Sequence, residues 1–140
     1  MLTVLHDKVF SFNGSLLGFN RLDRFHFSVM EENPVYAYLQ SEEDEHIGFL
    51  VINPFVFFPD YNLELDETTK DVLELQSHEE AAIVGIVTIQ KPFSNSTVNL
   101  LAPLILNVTN GSGRQVVLPP KSDYSTKEPL FKNPTEGGGE

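Results

Sequence analysis

Apolar and polar residues alternate with a period of two along residues 9–12, 25–30 and 35–39, the spacing of a strand with one buried and one wet face. In the second of these segments Phe25, Phe27 and Val29 are set to face inward, with His26 and Ser28 facing out. Residues 47–52 and 81–89 are almost continuously apolar and β-branched, as expected of strands covered on both faces, so both are placed at the centre of a sheet. Residues 104–108 and 115–118 flank Thr109-Asn110-Gly111-Ser112-Gly113-Arg114, and an Asn-Gly pair between two apolar runs predicts a hairpin. Helical spacing occurs once: Asp66 can cap, Glu67 sits in the first turn, and Val72, Leu73 and Leu75 follow. A second helical turn is expected at residues 41–45, where Ser41 precedes a run of acids. The fold class is therefore mostly β: a small distorted antiparallel β-barrel, or strongly curled sheet, with one or two short helices.

Length changes this picture little, because 140 residues suit one core and not two independent ones. Residues 1–131 are read as one domain, and residues 132–140, ending in three glycines and a glutamate with nothing apolar to bury, as a flexible tail. The sequence contains no cysteine, which excludes disulfides, thiolate metal sites and a thiol nucleophile and suits a reducing compartment. Asp7 and Lys8 interrupt the first residues before a signal-peptide core can form, and no apolar run approaches the roughly 20 residues of a membrane span. A cytoplasmic protein without membrane contact is expected. The N-x-Ser/Thr sites at Asn13, Asn95, Asn107 and Asn110 are read as turn chemistry.

Charge is more informative. The formal net charge is −11, yet residues 31–80 alone carry −13 while the rest of the chain carries +2. Direct nucleic-acid binding needs a basic stripe to neutralise phosphates, and this distribution is the reverse. It suits a basic protein partner drawn in by the summed field, although an acidic surface also serves solubility alone.

The residues that could carry catalysis do not assemble into a pattern. His6, His26, His46 and His78 have no ligand spacing, and the run from Glu42 to Glu45 lacks the glycine-centred spacing of a calcium loop. No Gly-x-Ser-x-Gly and no phosphate-cradling glycine loop before a helix occurs. No cofactor, metal or catalytic residue is expected. The distinctive segment is Asn53-Pro54-Phe55-Val56-Phe57-Phe58-Pro59-Asp60-Tyr61, a proline-bracketed connector with more aromatic area than one strand face buries. It is either an exposed docking surface beside acids or the plug at one end of a barrel.

Several ordered motifs resemble the flagellar assembly factor FliW family from about residue 8 to 132. They are Ser15-Leu16-Leu17-Gly18-Phe19, Tyr38-Leu39-Gln40-Ser41 before the acidic turn, Asn53-Pro54-Phe55 leading to Asp60-Tyr61, and Thr97-Val98-Asn99-Leu100-Leu101-Ala102-Pro103 followed by Asn107. Gln115-Val116-Val117-Leu118 and Tyr124 with Pro129-Leu130 complete the series. The chain departs from the family in having Leu17 where proline is usual, and in a start about ten residues short of a typical member, a segment that often supplies an edge strand.

The resemblance implies a distorted antiparallel barrel and a non-catalytic role in flagellin homeostasis, with two partners. One is CsrA, an RNA-binding repressor of flagellin translation whose RNA affinity would be lowered allosterically. The other is flagellin itself, which would compete with CsrA. Polar groups on rigid, proline-flanked backbone place the partner site at Asp60, Tyr61 and Glu64 with Asn99, Leu100, Ala102 and Pro103, and Phe55, Phe57 and Phe58 are the apolar candidates for flagellin. Tyr61 and Glu64 are expected to contribute to binding without supporting the fold. The alternative from another class is a small hydrolase or sugar-binding β-barrel.

Overall fold

The structure, a computed structural model, describes residues 2–119 and 122–131. The expected tail at 132–140 lies outside the described residues.

Among the described residues, nine strands and two short helices follow one another as β1 (Val9–Ser11), β2 (Arg24–Val29), β3 (Tyr36–Ser41), β4 (Gly48–Ile52), α1 (Pro54–Phe57), α2 (Glu67–Leu73), β5 (Ala81–Thr88), β6 (Thr97–Val98), β7 (Leu104–Asn107), β8 (Gly113–Gln115) and β9 (Glu128–Pro129). Every ladder is antiparallel, in the order β1-β2-β3-β4-β5-β6-β9, with β7 also on β5 and β8 on β7. The path β1-β2-β3-β4-β5-β7-β8 curls almost into a ring without closing as a ladder. Across the gap only a single parallel bridge joins Ser11 to Ser112, supported by the Ser11 amide donating to the Gly111 carbonyl at 2.8 Å. Such a sheet is a distorted barrel.

The period-two segments fold as their pattern dictates. Phe25 and Phe27 are fully buried, Val29 packs beside them, and His26 and Ser28 lie on the other face. β4 and β5 occupy the middle of the sheet, and their unbroken apolar runs are explained by two cores, one on each face. Phe49, Val51, Ala82, Val84 and Ile86 join the barrel interior with Phe10, Phe12, Phe25, Phe27 and Leu16. Leu50, Ile52, Ile83 and Val87 join a second cluster with Tyr61, Val98, Leu100, Leu118 and Leu130.

Three local expectations are corrected. The hairpin forms, but its second strand begins earlier: Leu106 pairs with Gly113 and Leu104 with Gln115, and residues 116–118 leave the ladder. Asn107 shortens the turn, because its Oδ1 accepts the amides of Thr109 and Asn110, and Gly111 supplies the positive φ of 80°. At residues 41–45 no helix forms. The Ser41 hydroxyl accepts the Glu43 and Asp44 amides as a cap would, but β3 pairs onward with β4 through Gln40 and Gly48, so the chain must reverse there. α2 forms with Asp66 as its cap, Oδ1 accepting the Thr69 amide at 2.8 Å, yet only Leu73 of its apolar residues is buried and Val72 points to solvent. The N-terminal residues Leu2–Leu5 make a 3-10 turn that buries Leu2 and Leu5 against the barrel core.

Candidate partner-binding site

The proline-bracketed segment is built to stand off the sheet. Asn53 caps α1, its Oδ1 accepting the Phe55 amide at 3.0 Å, and Pro54 at the first helical position is already set for helical φ. One turn later the Phe58 amide donates to the Pro54 carbonyl and the helix stops, since Pro59 cannot continue it. This short element points Phe55 and Val56 outward, at 40% and 54% exposure, and lays Phe57 and Phe58 half-buried against the second core.

The second anchoring point is an irregularity in the sheet. Across from β5, five residues (99–103) separate the β6 pairing at Val98 from the β7 pairing at Leu104, against two residues on β5 itself. The excess is folded into a bulge, held by the Asn99 Oδ1 accepting the Ala102 amide at 2.8 Å. Tyr61 reaches this bulge. Its hydroxyl donates to the Leu100 carbonyl at 2.7 Å, and its ring packs on Tyr124 with centroids 4.7 Å apart. Burial, followed by the neighbouring Tyr124, holds the Tyr61 hydroxyl well above the ordinary tyrosine range, so it stays a neutral donor.

Tyr61, Leu100, Ala102 and Pro103 are therefore buried and form a support, while Asp60 and Glu64 are exposed and Asn99 is half-buried. The expectation that Tyr61 does not support the fold is corrected, because a tyrosine 5% exposed with its hydroxyl spent on a buried carbonyl is part of the core. The structure does bring the two sequence segments together. Phe57, Phe58, Asp60, Tyr61 and Leu100 line one depression of about 240 Å³.

Pro59, Tyr124 and Glu128 complete that depression, and sequence reasoning left them out of the site. The Tyr124 hydroxyl accepts the Asn62 amide at 2.9 Å, which ties the C-terminal segment to the connector. In the sequence Tyr124 stands out only as part of the motif it forms with Pro129-Leu130, with nothing to place it beside the connector. Beside the depression, Tyr36, Phe57, Phe131 and Phe93 pack edge to face in a closed circuit with centroids 5.7 to 6.1 Å apart.

The polar candidates elsewhere serve as ties. Asp7 receives His26 Nε2 at 3.1 Å, and the His6 ring accepts the Val29 amide through Nδ1 at 3.0 Å. In the acidic turn, Glu43 accepts the amides of Asp23 and Arg24, and Glu42 pairs with the Arg24 guanidinium at 3.3 Å. Asp23 is held below the ordinary carboxylate range, mainly by the Ser11 hydroxyl and next by the Asn13 amide. Among the described residues no helix is long and apolar enough to cross a membrane.

Similarity to known proteins matches this architecture. Residues 1–130 match the family described as FliW protein. The chain is 39% identical over 127 residues to the flagellar assembly factor FliW of Bacillus licheniformis, covering 91% of this chain and 88% of the relative. It is 34% identical over 129 residues to that of Bacillus subtilis, covering 92% and 90%. A crystal structure of the flagellar assembly factor FliW superposes with a TM-score of 0.83 at 32% identity, over 90% of this chain and 87% of that one. With a family match along nearly its whole length and the same curled sheet in a solved relative, this chain belongs to the FliW family.

Proposed function

We propose that this chain is a flagellar assembly factor that acts by binding proteins and not by catalysis, with CsrA and flagellin as alternating partners in the cytoplasm. The observation that carries this reading is the coincidence of an aromatic, proline-framed surface with the acidic middle of the chain. Phe55 and Val56 stand in solvent on α1, the depression of Phe57, Phe58 and Leu100 opens beside them with Asp60 on its rim, and residues 31–80 carry −13. A basic RNA-binding protein is drawn to such a field, and an unassembled subunit with apolar assembly surfaces is matched by the rings. Relief of translational repression then follows from CsrA being held in a form with lower RNA affinity, while accumulating flagellin takes the factor away.

A chain of this size has little surface for two standard interfaces of about 800 Å² per partner at once, so overlap of the two sites is the economical arrangement. Titrating flagellin into a preformed complex with CsrA tests it on size-exclusion chromatography. Full displacement of CsrA is the expected result. A stable three-component peak would refute overlap, and failure of the chain to retain either protein would refute the reading.

A further inference from the structure

The two edges of β5 are used unequally. On one edge β7 pairs with residues 81–84, and the Val108 amide donates to the Glu80 carbonyl at 2.9 Å. Because hydrogen-bonded and non-bonded pairs alternate in an antiparallel ladder, that bond fixes the phase. Residues 80, 82 and 84 turn their backbone groups towards β7, and Ala81 and Ile83 turn theirs to the opposite edge. There β4 is the partner, but only where Val51 and Ile52 face Ile86 and Gly85. Two residues further the same register would set position 54 opposite Ile83. That residue is Pro54, which has no N–H and starts α1, so the neighbouring strand departs just where it would be needed.

The Ala81 amide is satisfied by the His78 carbonyl. Beyond Gly85, β4 gives neither Ile83 nor the Ala81 carbonyl a ladder partner on that edge. This length of strand also borders a cavity of about 240 Å³, whose lining includes Val4 from the N-terminal turn, Phe55 from α1, Val108 and Glu79. Val4 is 63% exposed and Phe55 40%, so two partly exposed apolar side chains flank this length of strand.

We propose that the open edge of β5 at Ala81 and Ile83 is a strand-addition site for an extended segment of a protein partner. Donor and acceptor groups repeating at a period of two along a strand are matched together by another extended backbone, and a compact polar ligand satisfies at most one of them. Apolar side chains alternating along the incoming segment meet Val4 and Phe55, and a basic residue at one end meets Glu79 in the acidic middle of the chain. The edge is short, so the backbone bonds fix register while the side-chain contacts supply most of the affinity. The identity of the partner rests on the protein-binding reading above; the existence of the site does not.

Amide hydrogen exchange on the full 140-residue chain tests this. The Ile83 amide is expected to exchange fast in the free protein, and finding it already protected overturns the proposal. Three probes are then added in turn: flagellin, CsrA, and the blocked peptide Lys-Val-Thr-Val-Thr-Val-Lys beside a counterpart N-methylated at its five central residues. The proposal predicts that at saturation at least one of the unmethylated probes slows Ile83 exchange by roughly tenfold or more, that the methylated peptide does not, and that Val4→Glu abolishes the protection while the rest of the amide spectrum is unchanged. Ile83 exchanging equally fast with all of them overturns the site. If the peptide protects Ile83 while neither protein binds, the site stands and the assignment of partners falls.

Discussion

The two apolar clusters on opposite faces of β4 and β5 share strands but not construction. The barrel interior is closed: Phe10, Phe12, Phe25 and Phe27 are at most 1% exposed, and their rings meet edge to face within the curl of the sheet. The outer cluster has no second sheet to cover it. Its lid is made of connectors, the residues after α1 and the segment through Tyr124 to Phe131, and so Tyr36, Phe57, Phe58, Tyr124 and Phe131 remain only partly buried. Strands satisfy their backbone as they cover a core, whereas connectors need side chains to do it, which is why the outer cluster contains the Tyr61 hydroxyl on Leu100 and the Tyr124 hydroxyl under Asn62. One core is closed, and the other keeps aromatic area at the surface, where the partners proposed above would meet it.

If this division is correct, the largest effect belongs to the closed core. Phe27→Ala is expected to destabilise the fold by about 3–5 kcal/mol in denaturant titration, because a fully buried ring leaves a cavity between β2 and its neighbours. A loss below about 1 kcal/mol would mean that the interior is not tightly closed. Tyr61→Phe comes next, at about 1–3 kcal/mol, since it keeps the ring and leaves the Leu100 carbonyl without its donor.

The same residue gives a pH signature. Tyr61 is held above its ordinary value in the folded state, so the unfolded chain loses that proton first as pH rises. Stability should be unaffected below about pH 10 and decline above it, and Tyr61→Phe should remove that part of the alkaline slope. An alkaline limb identical in both proteins would contradict the buried hydroxyl.

Surface substitutions should show the opposite balance. Glu64→Ala is expected to weaken at least one partner by roughly 1 kcal/mol in a binding titration while unfolding as the parent does. The association rate with CsrA should fall as salt rises from low to physiological ionic strength, where the Debye length is about 8 Å. A salt-independent rate would remove the electrostatic part of the comparison. Phe55→Ser should lower stability by no more than about 1 kcal/mol, because that ring is 40% exposed while packing on the Tyr61 ring with centroids 5.6 Å apart.

Much of the fold was legible in the pattern of residues. Period-two alternation placed β2 and its inward Phe25 and Phe27, the unbroken apolar runs placed β4 and β5 at the centre, and Asp66 marked the start of α2. These are local signals, set by side-chain direction along a strand or by one cap at a helix end. The candidate site was legible only in part. The aromatic connector and the stretch at 99–103 stood out, and the structure does bring Asp60, Tyr61 and Leu100 to one depression. Their exposure could not be read, because Tyr61 and Glu64 look alike as polar-tipped residues in a loop.

By itself, then, the sequence determined which residues alternate, which caps and turns are available, and where the acidic charge lies, because each depends on neighbours within a few positions. Tertiary structure alone decided that Tyr61 is buried, that five residues face two across the β5 ladder, and that the β7–β8 hairpin starts at Gly113. It alone decided, too, that β4 leaves β5 at Pro54 and opens an edge beside Ile83. Those outcomes depend on pairing register between segments distant along the chain, and register is fixed only when both strands and the side chains beneath them are in place.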